Sequence, residues 1–435
     1  MKDSFHFLGA GGMGMSALAR ILLDIGGSLS GTDLMPTNGL EALGMKRLDS
    51  FPEEGQIVYS SAIAPDHPCL VRAKKEGRPL LHRSELIRLL LKGNRGLLVA
   101  GTHGKTMTGA LLIWTLVSAG LDPTFAVGGI LKNLQKNGGK GRGPLFVLEA
   151  DESDGSFLNY SGEGAIVTSI EKDHLAFWKS EENLAKGFES FVSNIKNQDL
   201  LFWCSDDPCL AKMGLPGISY GKGGQLKLLE SEQVGEETFF SAQFEGRCYR
   251  NIQIPVMGDK LPLNALAVFG MALKLGVSEE GIREAFLTFQ GVKRRHDKVG
   301  EVQRITIYDD YAHHPTAVGA LLRSLKKRGV KGRLVALFQP HRFSRTQELL
   351  FDFKGAFDAA DLSIMTSLYP AGEPPIPGIS AQTLFHHTNN GNMLFLEKKD
   401  LFNYLPKMLL PGDVLATIGA GDVTEVGPKL LQTLA

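Results

Sequence analysis

A strand–loop–helix pattern around residue 100 constrains the fold of this chain most strongly. An apolar run, Leu97–Ala100, leads into a glycine-rich turn, and a helix-like run then continues to Ala119. In such a loop the backbone N–H groups surround a triphosphate, a lysine neutralises its outer phosphates and a threonine hydroxyl reaches Mg²⁺. The pattern predicts a P-loop-type nucleotide-binding domain with a mostly parallel sheet. The residues that form the turn and the start of the helix are Gly101, Thr102, His103, Gly104, Lys105 and Thr106.

The composition is typical of a soluble α/β enzyme. The 435 residues suffice for about three domains of roughly 150 residues each. Lys and Arg number 47 and so do Asp and Glu, which argues against sequence-independent binding to nucleic acid. No apolar run reaches the ~18 residues that cross a bilayer, and the four cysteines lack metal-ligand spacing. We expect a cytoplasmic protein, monomeric or homodimeric, with no nucleic-acid or membrane partner.

The chain reads as three α/β blocks, for which we predict domains at residues 1–92, 93–290 and 291–435. The first and third blocks alternate strand-like and helix-like segments, which is typical of Rossmann-like, doubly wound folds. Within the central block, residues 215–255 predict a few antiparallel strands. The basic segment Gly291–Glu301 is predicted to be a hinge. Other predicted strands are Ser4–Leu8, Gln56–Ser61, Pro144–Ala150, Gly164–Ile170, Arg304–Tyr308, Arg333–Phe338, Leu362–Met365, Asn392–Leu396 and Asp413–Ile418.

A second glycine pattern follows the first predicted strand. Gly9, Gly11 and Gly14 have the spacing of a diphosphate-binding loop, and Asp33 lies nineteen residues after Gly14. An acid at that distance suits the ribose of a nicotinamide cofactor. The physical requirement, however, is only that a diphosphate lies at a helix N-terminus, so a UDP group fits equally well.

Acidic residues follow the predicted strands of the central block. The segment Glu149–Asp154 contains four acids in six residues, and their mutual repulsion favours a bound cation. Mg²⁺ on a nucleotide triphosphate needs only one or two carboxylates, whereas an exposed acidic loop or helix cap is the alternative. Asp173 and His174 follow the next strand, and adjacent strand ends would bring His174 and Glu149 together. An isolated Asp-His pair can equally be structural.

The third block begins with basic and aromatic residues. Lys293-Arg294-Arg295 lies in the predicted hinge, where an arginine could reach a γ-phosphate on domain closure or simply be solvated. Tyr308–Pro315 follows a predicted strand. Its neighbouring residues His313 and His314 should point to opposite sides of an extended segment, so we do not expect them to chelate one zinc ion.

A second basic segment, Gln339–Arg345, also follows a predicted strand. Arg342 and Arg345 are three residues apart and would share a helical face if the helix has begun. Paired guanidinium groups suit a carboxylate bound in bidentate fashion, and surface solvation is the alternative.

Together these segments resemble the Mur ligase family, and within it the enzymes that join L-alanine to UDP-N-acetylmuramate. The resemblance extends nearly end to end. It implies an N-terminal domain for the UDP-sugar, a central ATPase domain and a C-terminal domain that closes over both. The motifs that carry it are HFLGAGGMGMSALA, VYSSAI, VAGTHGKT, EADESDGSFL, VTSIEKDHL, NALAVFGMALKLG, FQGVKRRH, DDYAHHPTAV, FQPHRFSRT, YPAGEPPIPG and IGAGD.

The resemblance also implies roles for individual residues. Those implied to bind ATP are Gly101, Thr102, His103, Gly104, Lys105, Thr106, Asn264, Arg294 and Asp310. Those implied to hold Mg²⁺ are Thr106, Glu149 and His174. Those implied to bind the sugar or the amino acid are Gly9, Gly11, Gly12, Gly14, Ser61, Tyr311, His313, Arg342 and Arg345. Those implied to act in catalysis are Lys105, His174, Arg294, His313, Arg342 and Arg345.

The implied reaction is an ATP-dependent amide-bond formation through an acyl phosphate, in peptidoglycan precursor synthesis. A murein-peptide ligase, which adds a preformed peptide to the same sugar nucleotide, is the nearest alternative. A nicotinamide dehydrogenase would explain the first glycine loop but not the phosphate loop. A non-enzymatic nucleotide-binding module would not need the histidine and arginine residues of the third block.

Overall fold

The computed structural model describes residues 4–34, 36–48, 50–388 and 391–435. The contacts divide it into two compact units. The first extends to Leu229 and includes residues 242–249 and 263–289, and the second comprises residues 230–241, 250–262 and 290–435. Among the described residues, no helix combines the length and the apolar character needed to cross a bilayer. The predicted limits of the three domains remain predictions.

The first sheet has the strand order β3-β2-β1-β4-β5, and its neighbouring strands are parallel. Helix α1 begins directly after the glycine loop and buries Met15, Leu18, Ile21 and Leu22 at helical spacing. This β–loop–α arrangement matches the predicted Rossmann-like fold. The elements are β1 (Ser4–Leu8), α1 (Met13–Asp24), β2 (Ser28–Thr32), β3 (Lys46–Arg47), β4 (Gln56–Tyr59), α2 (Pro68–Lys75), β5 (Leu80–His82) and α3 (Arg83–Leu91).

The second sheet is built around β6 (Arg95–Ala100), which pairs in parallel with β9 (Leu145–Glu149) on one side and β10 (Gly164–Val167) on the other. These strands are almost wholly buried, which explains their continuous apolar sequences. The other elements are α4 (Lys105–Ser118), β7 (Thr124–Leu131), β8 (Lys136–Gly139), α5 (Leu175–Trp178), α6 (Glu181–Ser193), β11 (Leu201–Cys204), β12 (Ile218–Gly221), β13 (Leu226–Val234), β14 (Glu237–Phe244), β15 (Arg247–Ile254), α7 (Leu261–Lys274) and α8 (Glu279–Leu287).

The third sheet has the strand order β16-β17-β21-β18-β19-β20 and is parallel from β17 onward. Buried apolar side chains cover both of its faces, as in doubly wound folds. The elements are β16 (Asp297–Val302), β17 (Ile305–Asp310), α9 (Pro315–Lys327), β18 (Leu334–Phe338), α10 (Phe343–Glu348), β19 (Leu362–Met365), α11 (Ala381–Thr388), β20 (Met393–Phe395), α12 (Leu401–Met408), β21 (Val414–Ile418) and α13 (Val426–Leu434).

Two predictions about elements are wrong in part. Ile218–Gly221 lies within the segment predicted to be antiparallel, but it pairs in parallel with β11, to which a long crossover connects it. Half of the predicted hinge is a strand, since Asp297–Val302 pairs antiparallel with β17. A polar edge strand of this kind lacks the apolar alternation by which strands are recognised.

Candidate active site

The phosphate loop follows β6 at the carboxyl edge of the second sheet. Gly101 has φ +130°, and a Cβ there would lie 2.1 Å from Oγ1 of Thr168. Gly104 has φ +83° and directly precedes α4. Both positions therefore require glycine. Thr168 Oγ1 donates to the carbonyl of His103 at 2.5 Å, which fixes the loop against the end of β10.

Lys105 is held inside this loop by three acceptors. Its Nζ donates to Glu152 Oε2 at 2.6 Å, to Gly101 O at 2.7 Å and to Thr102 O at 3.4 Å. Burial lowers the pKa of Lys105, but the charges of Glu152, Asp151 and Glu149 outweigh burial and raise it overall. The charged form of the lysine is therefore favoured in this loop.

Glu152 was not among the predicted site residues. Glu152 is 1% exposed. Burial raises the pKa of its carboxyl group to about 7 despite the opposing charge of Lys105. The pKa values of both groups are raised, because Lys105 faces three acids whereas Glu152 is buried and faces one cation. The acidic run signalled this group, but nothing in the sequence distinguished Glu152 from the neighbouring acids.

Thr106 and Glu149 are brought together, as their predicted shared role requires. Thr106 Oγ1 donates to Glu149 Oε1 at 3.1 Å, and the N–H of Gly128 donates to Glu149 Oε2 at 2.7 Å. A hydroxyl and a carboxylate form an all-oxygen donor set of the kind that Mg²⁺ prefers. These two residues therefore fit the predicted ion.

His174 follows β10, on the opposite side of β6 from β9. The strands that precede Glu149 and His174 are therefore not neighbours, contrary to the prediction, because β6 lies between them. That the two side chains act at one site stays a prediction. His174 has φ +57° and precedes the short helix α5, and its Nε2 lies 3.4 Å from Oδ2 of Asp173.

Two further residues implied to bind ATP line the loop. Asn264 is buried in α7, and a Cβ on Gly104 would lie 2.9 Å from its Nδ2. The amide thus contacts the loop itself. His103 Nε2 lies 2.7 Å from Oε2 of Glu171, and the N–H of His103 donates to Ser169 Oγ at 3.2 Å.

The first glycine loop is closed by Asp33. Gly9 donates its N–H to Thr32 O, and Gly11 donates its N–H to Asp33 Oδ2 at 2.7 Å. Gly12 precedes the first turn of α1 and Gly14 lies within it. The carboxylate of Asp33 therefore accepts a hydrogen bond from one backbone N–H of the loop. This contact differs from the contact with a cofactor ribose that an acid at this spacing suggests.

Ser61 lies where the first sheet meets the acidic segment. Its hydroxyl donates to Asp154 Oδ2 at 2.5 Å and lies 3.1 Å from His82 Nε2. Arg83 was not predicted; its guanidinium lies 3.6 Å from Asp154 and 3.8 Å from Asp151. The acidic segment therefore contacts the phosphate loop through Glu152, and it contacts Ser61 and Arg83 through Asp154.

In the second unit, Arg294 is bonded internally. Its Nη2 donates to Gly419 O at 2.7 Å and to Gly421 O at 3.2 Å, and its Nε lies 3.3 Å from Asp309 Oδ2. Its guanidinium also lies 5.0 Å from the ring centroid of Tyr311, within cation–π range. These contacts hold Arg294 in place within its own unit.

Asp310 has the contacts of a structural residue. Its Oδ2 accepts the N–H of His296 at 2.7 Å, and its Oδ1 accepts the N–H of Ala312 at 2.8 Å. The side chain is buried and shapes the chain on both sides of β17. Its implied contact with nucleotide stays a prediction.

His313 follows β17 and is neutral. Its Nδ1 lies 2.9 Å from Tyr311 O, so Nδ1 carries the proton and Nε2 keeps its lone pair. Burial, followed by the charge of Arg345, lowers the pKa of His313 well below its usual value. Its neighbour His314 instead caps α9, because Nδ1 of His314 accepts the N–H of Thr316 at 3.3 Å.

Arg342 and Arg345 lie on either side of the start of α10. The condition under which they would share a helical face is not met, because Arg342 precedes the helix with φ +70°. Arg345 Nη1 donates to His341 Nδ1 at 3.2 Å. His341 stacks on Tyr369 at 5.6 Å, and burial, with the nearby arginines, lowers its pKa to about 3. His341 and Tyr369 were not predicted.

Glu373 supports this arginine segment from a distant loop. Its carboxylate accepts the N–H of Ser344 at 3.0 Å and the hydroxyl of Ser344 at 2.7 Å, and it lies 4.0 Å from Arg342. The carboxylate therefore caps α10, although it is far away in sequence. Its motif, YPAGEPPIPG, carried the resemblance but did not indicate this contact.

Models of three Mur ligase domains match successive parts of the chain. The catalytic-domain model matches residues 4–95, the middle-domain model residues 99–272 and the glutamate ligase domain model residues 294–421. The chain belongs to the Mur ligase family. The Mur ligase middle-domain match contains the phosphate loop, and the glutamate ligase domain match contains both arginine segments.

Two curated Mur ligases are similar along their whole length. The UDP-N-acetylmuramate–L-alanine ligase of Protochlamydia amoebophila is 41% identical over 448 residues, which cover 100% of this chain and 99% of the relative. That of Geobacter sp. strain M21 is 38% identical over 451 residues, covering 99% and 98%.

Solved structures agree with the family. The UDP-N-acetylmuramate–alanine ligase of Thermotoga maritima superposes with a TM-score of 0.86 at 28% identity, covering 99% of each chain. A murein peptide ligase of Psychrobacter arcticus gives 0.73 at 22% identity, covering 99% of this chain and 98% of that one. The second likeness shows the fold alone.

Proposed function

We propose that this chain joins L-alanine to the lactyl carboxylate of UDP-N-acetylmuramate, with cleavage of ATP to ADP and phosphate. The observation that carries the proposal is the end-to-end similarity to relatives named for that reaction, at up to 41% identity. The phosphate loop with its buried lysine and the arginine–histidine segments supply the chemistry that the reaction needs. A cytoplasmic location, where the sugar nucleotide and ATP are available, belongs to the same proposal.

The chemical difficulty is that a carboxylate repels an amine and has no good leaving group. Transfer of the γ-phosphoryl group of ATP to a carboxylate oxygen gives an acyl phosphate and ADP. The amine of alanine then attacks the carbonyl carbon, and the tetrahedral intermediate expels phosphate as the amine loses a proton. One oxygen of the original carboxylate therefore leaves in phosphate.

Lys105 would stabilise negative charge on the transferring phosphoryl group, since it is a fixed cation inside the loop. Thr106 and Glu149 would hold Mg²⁺, with His174 as the third predicted ligand. When bound, the ion neutralises charge on the phosphates and orients them. The role of Arg294 toward the γ-phosphate is part of the proposal.

In the second unit, Arg342 or Arg345 would bind the carboxylate of alanine, and Tyr311 would support the site through its ring contacts. His313 has a free Nε2 lone pair, but its pKa lies well below the usual value. A base that weak is a poor acceptor for the proton of an alkylammonium group. The low basicity of His313 therefore favours a role in orienting the amine over a role in deprotonating it.

The test is ADP release by the purified chain with UDP-N-acetylmuramate and a panel of amino acids that includes alanine, glycine and serine. We expect release only when ATP, the sugar nucleotide and an amino acid are all present. With heavy oxygen in the lactyl carboxylate, we expect the label in phosphate. Release with a preformed murein peptide but not with alanine would instead establish the peptide-ligase alternative.

A further inference from the structure

Glu152 is a buried acid that the proposed mechanism does not use. Its Oε2 lies 2.6 Å from Nζ of Lys105, while Oε1 is buried and has no hydrogen-bond partner within the described part of the chain. A buried carboxylate is costly unless it is paired. Its position therefore calls for an explanation beyond the general acidity of the segment.

The backbone at Glu152 is held firmly. Its carbonyl accepts the indole N–H of Trp178 at 3.0 Å, and Trp178 is buried with its ring 6.0 Å from that of Phe157. A Cβ on Gly187 would lie 2.4 Å from the Trp178 ring, so the indole fits closely against α6. The carboxylate thus extends from a rigid support.

The contacts of Lys105 differ in strength. An ammonium group has three N–H donors, and here the bonds to Glu152 and Gly101 are short whereas the one to Thr102 is 3.4 Å long. A phosphate oxygen can replace the long bond at little cost. The two short bonds can persist while the third N–H points to the ligand.

We propose that Glu152 is a positioning residue for Lys105, in that the Glu152 carboxylate holds the ammonium group at 2.6 Å and fixes the direction of its third N–H toward the triphosphate. The inference rests on the proposed function for its kinetic readout only. Asp151 lies beside the pair, and its carboxylate is bonded to Ser153 instead. Glu152 is therefore the acid that contacts the lysine directly.

The kinetic test uses Glu152→Gln, Lys105→Ala and the double variant. We expect Glu152→Gln to lower kcat by about tenfold to a hundredfold, as supporting groups around charged ligands commonly do. The KM for ATP should change less than about threefold, because the loss of a nearby negative charge offsets poorer placement of the lysine. In the Lys105→Ala background, Glu152→Gln should add less than about twofold.

Two variants control the comparison. Glu152→Asp keeps the charge with a shorter reach and should recover part of kcat. Glu163→Gln removes a carboxylate that is paired with Arg95 at 2.6 Å in a more exposed part of the same unit, and it should leave both constants unchanged. An equal loss of kcat on Glu152→Gln with and without Lys105 would overturn the proposal, as would restoration by excess Mg²⁺.

A second measurement does not depend on the reaction. The rate at which an amine-reactive reagent labels Lys105, read by peptide mass spectrometry at pH 8, reports how firmly the amine is held by its acceptors. Removal of the carboxylate takes away one of the two short bonds of Nζ, so we expect faster labelling in Glu152→Gln at the same pH. Unchanged labelling in Glu152→Gln would refute the positioning role even if the chain proved to catalyse another reaction. Faster labelling with no ADP release would reject the proposed function alone.

Discussion

The two units present positive charge in different ways. In the first, Lys105 is paired with a buried acid at 2.6 Å, and two further acids raise its pKa. In the second, Arg345 donates to the neutral ring of His341, whose pKa is lowered to about 3. A lysine already balanced by acids suits a ligand that arrives with its own cation, whereas guanidinium groups against neutral rings suit a bare carboxylate.

The largest effect on catalysis is expected from replacing Lys105, whose charge is paired with a buried acid. Lys105→Ala should lower kcat by on the order of a hundredfold or more, comparable to the loss of other donors that stabilise developing charge. The measurement is ADP release at saturating alanine. Turnover within a few-fold of the parent would show that the loop binds nucleotide without assisting transfer.

Replacing an arginine of the second unit should change the binding of alanine more than the rate of turnover. Arg345→Ala should raise the KM for alanine on the order of tenfold to a hundredfold, since a charge-assisted contact with a carboxylate is lost. The KM for ATP should stay near the parent value. A reversed pattern, in which ATP binding weakens and alanine binding does not, would contradict the division of roles between the units.

The two regions should also respond oppositely to pH. The folded-state pKa of His341, about 3, lies below its ordinary value of 6.5, so the unfolded chain binds more protons between these values and stability falls as pH drops below 6.5. The pKa of Glu152, about 7, lies above its ordinary 4.5, so its contribution falls as pH rises through 7. The measurement is the thermal midpoint of unfolding between pH 4.5 and 8. In His341→Asn, this midpoint should fall less steeply below pH 6.5 than in the parent. If the midpoint fell as steeply below pH 6.5 as in the parent, groups other than His341 would control the loss of stability in acid.

How much of this was predictable varied with the kind of inference. Local patterns located the phosphate loop, because a strand, a glycine turn and a helix start are neighbours in sequence. The strands that precede Glu149 and His174 were wrongly predicted to be neighbours, since the order of strands in a sheet does not follow from their order along the chain. The shared helical face of Arg342 and Arg345 was predicted only if the helix had begun at Arg342, and the sequence could not show that Arg342 has positive φ and precedes the helix.

The smallest effect is expected from replacing Glu373, which caps α10 next to Arg342 from a loop that is distant in sequence. Glu373→Gln keeps the shape of the cap on Ser344 but removes a charge 4.0 Å from Arg342. A capping interaction contributes about 1 kcal/mol and a partly exposed ion pair less, so the thermal midpoint should fall by only a few degrees. The KM for alanine should rise less than about fivefold if the cap merely orients Arg342. Ser344→Ala, which removes the hydroxyl and leaves the charge, separates the two contributions. If its KM for alanine matched that of Glu373→Gln, the cap and not the charge would be what places the guanidinium, and the contrast with the acid-balanced lysine would be sharper.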